Sequence, residues 1–193
     1  VIHAAIPTKY NHVQFRSRLE ARWAAFFDFA GWEWHYEPVD MSGWIPDFVL
    51  VGKHGNKIYV EVKPIFWRAE MGKVDVTPFY SDELRKIKNI ALSYPDDLLL
   101  LGANILNLTC WTGETTRRIL GLLCDTPNAA LLCFNSNKEL DLTAHENTYR
   151  LRISGESHDP RRGKYTSSCI VDRFWAEAGN AVQWRRPRGA AHA

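Results

Sequence analysis

Two acidic side chains and a lysine stand close enough along this sequence to do chemistry together. They are Asp47, in the dipeptide Pro46-Asp47, and the Glu61 and Lys63 of Tyr59-Val60-Glu61-Val62-Lys63. In a strand, alternation sends Val60 and Val62 to one face and Tyr59, Glu61 and Lys63 to the other. Phe48–Val51 and Lys57–Lys63 read as the arms of a β-hairpin closed by Pro64. A five-residue loop, Gly52–Asn56, pairs Val51 with Lys57 and brings Asp47 opposite Glu61; a six-residue loop would set the two acids on opposite faces. Two carboxylates beside an ammonium make a hard oxygen site suited to Mg²⁺ or Mn²⁺, with the Val62 backbone carbonyl as a natural third ligand. Such an ion can activate a water and neutralise charge on a phosphodiester, and hydrolysis of that bond is the reaction the arrangement serves.

The surrounding elements must hold these groups in place. Phe15, Leu19, Trp23, Phe26, Phe27 and Ala30 recur at spacings of three and four, predicting a helix from about Asn11 to Ala30 that stops at Gly31. Trp32, Trp34 and Tyr36 alternate with Glu33, His35 and Glu37, predicting a strand with one aromatic face. A second helix is expected over Asp82–Tyr94, started by Ser81 and stopped by Pro95. Leu98–Leu101 reads as a buried central strand. Arg117–Cys124 and Ala129–Phe134 suggest a further hairpin, with a helix over Arg117–Cys124 as the competing reading. The segment Ser154–Ser167 reads as a loop, Ile170–Ala178 as a short helix, and Val182-Gln183-Trp184 as a last strand before a basic tail.

Pro46-Asp47, a gap and Glu61-Val62-Lys63 resemble the signature of the PD-(D/E)XK nuclease superfamily. Glu20, on the helix ahead of the sheet, fits the place of that family's helical glutamate. The longer string Phe15-x-Ser17-x-Leu19-Glu20, Tyr36-x-Pro38, Trp44-x-Pro46-Asp47-Phe48 and Tyr59–Pro64 resembles the TnsA-type transposon-end endonucleases and related mobile-element nucleases. Glu37 departs from that pattern, which often has glutamine before the proline. The resemblance implies a restriction-endonuclease-like αβββαβ core over residues 11–101, with a central mixed sheet flanked by helices; residues 102–193 lie outside it and read as a β-rich extension, and the length of the chain suggests one domain in all. It further implies that Asp47 and Glu61 bind the metal, that Lys63 assists the attacking water and that Glu20 supports the metal shell. Lys86 and Lys88, on the second helix, fall where many members touch phosphate.

Composition is consistent with that expectation. Of 193 residues, 46% are apolar, enough for one full core. No apolar run approaches the roughly 20 residues that span a bilayer, and the N-terminus lacks the layout of a secretion signal, so a soluble cytoplasmic protein is expected. Cys110, Cys124, Cys133 and Cys169 lack metal-site spacing and read as buried free thiols. Net charge is only +2, yet residues 149–193 carry nine Lys/Arg against four Asp/Glu. Arg161, Arg162 and Lys164 are therefore candidate phosphate contacts beside an acidic centre. The expected partner is DNA, with RNA as the alternative, and a second copy or a recombination or transposition protein as a possible companion. A non-cleaving nucleic-acid-binding module on the same fold is the rival from a different functional class.

Overall fold

A computed structural model of the protein describes residues 5–41, 43–51, 57–70, 73–74, 82–91, 97–109, 116–124, 129–134, 140–143 and 168–183. Asn11 and His12 take positive φ, 44° and 66°. They form a two-residue turn between β1 (Thr8–Tyr10) and β2 (Val13–Phe15), in which Tyr10 pairs with Val13. Left-handed conformations at both central positions give the turn whose twist matches a tight hairpin, and asparagine tolerates them. The first helix, α1 (Arg18–Ala30), accordingly starts seven residues later than the apolar spacing predicts. Its start is fixed by Ser17, an extended N-cap whose hydroxyl accepts the Glu20 N–H at 3.1 Å and donates to Glu20 Oε1 at 2.6 Å. This is a variant of the Ser-x-x-Glu cap in which Glu20 accepts the Ser17 hydroxyl and, through Oε2, the Arg16 backbone N–H rather than that of Ser17. Gly31, at φ 74°, ends the helix as expected, with the Gly31 and Trp32 N–H groups returning to Asp28 and Phe27 carbonyls.

β3 (Glu33–Tyr36), β4 (Phe48–Val51) and β5 (Lys57–Val62) follow as an antiparallel run. Next come a small ribbon of β6 (Ala69–Glu70) and β7 (Lys73–Val74), then α2 (Asp82–Ala91). The chain continues through β8 (Asp97–Thr109), β9 (Thr116–Cys124), β10 (Ala129–Phe134), β11 (Leu140–Thr143) and α3 (Ser168–Ala181). The main sheet has the order β11-β10-β9-β8-β5-β4-β3. β5 and β8 pair in parallel and the other neighbours are antiparallel, so the sheet is mixed. A parallel pair needs a crossover connection, and α2 lies within it.

The molecule is thus mixed α/β, with helices on the sheet. One face carries Phe48, Leu50, Ile58, Val60, Val62, Leu99 and Leu101 against the aromatic stripe of α1 and the Val171, Phe174 and Ala178 face of α3. The other carries Val49, Tyr59, Leu98 and Leu100 against Met41, Trp44, Trp67 and Ile87 of α2. Burial on both faces explains why the Leu98–Leu101 stretch of β8 is an unbroken leucine run. β8 continues to Thr109, beyond the expected Leu101, and β9 and β10 pair as the hairpin rather than forming a helix. The expected strand at Val182 is absent: α3 runs on to Ala181, the Val182 N–H still returns to Ala178, and Val182 is buried in the α1 core. Docking of α3 on α1 overrides the local alternation. Arg22 of α1 secures it, donating to the Trp175 carbonyl through Nη2 at 2.8 Å while its guanidinium lies 3.7 Å from the Trp175 ring centre. Trp184, the loop 154–167 and the tail 185–193 lie outside the described residues, as do Ser81 and residues 92–96.

Gly102 is a place where only hydrogen fits. Trp23 Nε1 of α1 donates to its carbonyl at 2.8 Å from one side. On the other, a Cβ would collide with the Trp67 indole and stand 2.6 Å from the Ile65 carbonyl. Backbone on that side cannot retreat without moving the segment that follows Lys63. Gly102→Ala is expected to lower stability by about 1–3 kcal/mol, read in a thermal melt as roughly 3–10 °C. An unchanged melting temperature would show that the segment yields freely.

Candidate metal centre

The β4–β5 ladder pairs Val51 with Lys57 and Phe48 with Val60. The next rung therefore sets Asp47 across from Glu61, as the five-residue loop requires; residues 52–56 themselves lie outside the described residues. Asp47 and Glu61 share strand parity with Val49 and Tyr59, which face the α2 side. Both acids are buried, at 4% and 6% exposure. Such carboxylates require partners, and each of their four oxygens has one. Asp47 Oδ2 accepts the Val62 N–H at 2.7 Å and Oδ1 accepts from Arg16 Nη2 at 2.8 Å. Glu61 Oε2 accepts from Trp44 Nε1 at 2.9 Å, and Oε1 meets Lys63 Nζ at 2.9 Å. Lys63 is itself pinned to the central strand, its N–H donating to the Leu101 carbonyl.

Glu20 sits at the first turn of α1 and is likewise buried, at 7%. Beyond the Ser17 cap, its Oε2 accepts from Tyr36 Oη at 2.6 Å and from the Arg16 backbone N–H at 3.2 Å. It makes no side-chain pair with Arg16 one turn earlier, the bland alternative for a glutamate at that spacing. The Arg16 guanidinium instead bridges Asp47 and Glu37, the latter at 2.6 Å. Glu37 holds a positive φ of 43°, and its N–H donates to the Asp47 carbonyl. The position that departs from the mobile-element pattern is therefore tied to Asp47 through both backbone and Arg16. Burial and the Glu20 hydrogen bond together push the Tyr36 hydroxyl well above its ordinary range.

The charge balance is uneven. Burial, then the nearby charge of Glu61, and to a smaller degree that of Glu20, push the Asp47 carboxyl up to about 7, against the opposing pull of the Val62 N–H and Arg16. Asp47 thus carries repulsion that a divalent cation would relieve. Among the described residues no group of three or more His, Cys, Asp and Glu side chains is arranged to hold a metal. A Mg²⁺ site does not require one, because that ion uses one or two carboxylates and fills its remaining positions with water and substrate oxygen. The donor set fits such an ion and suits a site of thiolates or imidazoles poorly.

No family model, curated protein or solved structure matches the chain.

The structure brings Asp47, Glu61, Lys63 and the Val62 backbone together and links Glu20 to them through the field at Asp47. Lys86 is exposed on α2. Lys88 lies on the same helix, but its side chain falls outside the described residues, as do Arg161, Arg162 and Lys164. Among the described residues no helix is long and apolar enough to cross a membrane. Arg16, Tyr36, Trp44 and Glu37 were not legible as partners of the acids. The one available sequence signal was Ser17-x-x-Glu20, which marks a helix cap and so frees the Arg16 side chain to look elsewhere. Trp44 is buried at 6% and packs edge-on against Tyr59. Trp44→Phe keeps that ring and deletes the N–H that orients Glu61. With Glu61 Oε2 left buried without that donor, Trp44→Phe is expected to lower stability by about 1.5–3 kcal/mol, read in a thermal melt as roughly 3–10 °C. A melting temperature equal to wild type would show that Trp44 only fills space.

Proposed function

We propose that this chain is a Mg²⁺-dependent deoxyribonuclease of the PD-(D/E)XK type, an endonuclease with a restriction-endonuclease-like core, leaving a 5′-phosphate and a 3′-hydroxyl. The observation that supports this most is the pairing of two buried acids, Asp47 and Glu61, across one hairpin with the Lys63 ammonium 2.9 Å from Glu61. Asp47 and Glu61 would hold the ion, with the Val62 carbonyl as third ligand, and Mn²⁺ would serve in place of Mg²⁺. A bound ion would supply Lewis acidity and charge neutralisation at the scissile phosphate. Lys63 orients the attacking water as an ammonium, or, once it has released a proton to solvent, accepts that water's proton as the neutral amine. Trp44 fixes the Glu61 carboxylate, and Arg16 holds Asp47 from the solvent side, its own side chain 60% exposed. Glu20 locks Tyr36 and the helix start behind Asp47 and supports the metal shell through its charge. Lys86 and Lys88, with Arg161, Arg162 and Lys164, supply phosphate contacts. Work in the cytoplasm on chromosomal or mobile-element DNA is the setting this reading implies. A double-strand cut by a one-site subunit requires a homodimer, a recombination partner or two successive nicks.

The test is incubation with supercoiled, linear and single-stranded DNA and with RNA, in Mg²⁺ or Mn²⁺, for wild type, Asp47→Ala and Lys63→Ala. DNA cleavage by wild type alone is expected. Equal cleavage by all three proteins would discard the site, binding without cleavage under every metal would identify an inert module, and cleavage of RNA alone would make the enzyme a ribonuclease.

A further inference from the structure

Eight tryptophans suggest base stacking, but none of the six in the described residues is among the exposed large apolar side chains. Among the described large apolar side chains the most exposed is Phe66, at 66%. It lies three residues beyond Lys63 on the same segment. The backbone is hydrogen-bonded on either side of it. The Ile65 carbonyl accepts the Ala103 N–H at 2.7 Å, and the Ile65 N–H returns to the Lys63 carbonyl at 2.7 Å. The Trp67 N–H donates to Asn104 Oδ1 at 2.7 Å, while Asn104 Nδ2 donates back to the Trp67 carbonyl at 3.1 Å. Trp67 itself is buried at 3% and Ile65 packs against the α2-side core. With both neighbours anchored inward, Phe66 is held outward on hydrogen-bonded backbone just beyond β5 and Lys63.

We infer that Phe66 is a stacking platform for an unpaired base next to the phosphate cut at Asp47 and Glu61, so that the preferred substrate is single-stranded or locally unpaired DNA. This rests on the nuclease reading. The flanking chemistry suits a nucleotide better than a protein partner. Arg68, exposed, follows Phe66 by two residues, and Lys63, paired with Glu61, precedes it by three, so positive charge stands on either side of the ring in the sequence. An aromatic ring between cations is the arrangement by which proteins grip unpaired strands, since every base presents a π-face and the phosphates on either side carry charge. A platform fixed by hydrogen bonds to β8 needs no ordering when the base arrives, which favours binding.

The experiment uses the full chain in EDTA, with oligodeoxynucleotides carrying 2-aminopurine at successive positions of a single strand, of a duplex with one unpaired nucleotide and of an intact duplex. Phe66→Leu keeps the apolar bulk and removes the ring, and Phe66→Trp keeps a ring. Wild type is expected to quench 2-aminopurine at one position of the unpaired substrates. Phe66→Leu should lose that quench and bind those substrates about tenfold more weakly, with intact-duplex binding changed less than twofold; Phe66→Trp should restore both. Quenching and affinity unchanged in Phe66→Leu, or an equal loss on intact duplex, would overturn the inference. Parallel Mg²⁺ reactions separate the two readings: quenching without cleavage by wild type leaves the platform standing and removes the nuclease, whereas cleavage with no Phe66 effect on any substrate removes the platform alone.

Discussion

Asp47→Asn is expected to abolish cleavage, by about a thousandfold or more, and yet to stabilise the metal-free protein at pH 8. The first effect follows from removing one of two carboxylates able to hold the ion and to place charge where the transition state needs it. The second follows from linkage. The Asp47 carboxyl is pushed up from an ordinary 3.8 to about 7, first by burial and then by Glu61. A raised acid binds its proton more tightly when folded. Between about pH 4 and 7 the native state therefore holds a proton that the unfolded chain has released, and stability falls as pH rises through that window. Above 7 the whole penalty is present, on the order of a few kcal/mol. Asparagine keeps an oxygen for the Val62 N–H without the charge, and the lost Arg16 contact returns only a small part, because that guanidinium is mostly in water. In EDTA at pH 8 the variant should melt roughly 5 °C above wild type, the two curves converging near pH 4. Added Mg²⁺ should raise the wild-type melting temperature and leave the variant unmoved. A variant less stable than wild type at pH 8, or an equal Mg²⁺ response in both, would show that Asp47 is an ordinary structural acid.

The same residues show what sequence carries and what it does not. The hairpin was readable because its chemistry is a matter of parity: five residues between Val51 and Lys57 fix the face of every residue on both strands, Asp47 and Glu61 included. The leucine run of β8 was readable because burial on both faces leaves no polar position. The start of α1 was not, because Phe15 falls in phase with Leu19 and Trp23 while belonging to a strand; its ring meets Tyr36 and Phe48 from β2. The apolar period cannot register the turn at Asn11-His12, where backbone sterics, not hydrophobicity, decide. Val182-Gln183 misled for the converse reason: local alternation yielded to the docking of α3 on α1. Contacts that complete the site, Arg16 to Asp47 and Trp44 to Glu61, join residues 31 and 17 positions apart. Such pairs are set by how α1 and the 40–47 segment meet the sheet, and no spacing rule announces them.

Lys63→Met separates metal binding from catalysis. Methionine matches the aliphatic length of the stem and removes the ammonium that faces Glu61 Oε1 at 2.9 Å. If Lys63 orients or deprotonates the attacking water, cleavage should fall by about 10²- to 10⁴-fold, the range for a positioned acid or base. If it merely neutralises Glu61, a bound metal would replace its charge and activity would stay within about a few-fold of wild type. The two roles also differ in metal affinity. Glu61 without its ammonium is a freer and more negative ligand, so Mn²⁺ titrated by calorimetry or paramagnetic resonance should bind Lys63→Met at least as tightly as wild type. Asp47→Asn should bind it weakly. Tight metal, intact fold and lost cleavage in one variant would assign Lys63 to the chemical step. Lost metal binding in Lys63→Met would instead make the lysine a structural support of the acid pair, and the attacking water would need another base. Among the described residues Glu20 is the buried carboxylate left to supply one, but its oxygens already serve Ser17, Tyr36 and the Arg16 backbone. Freeing it would cost the α1 cap on which the whole site stands.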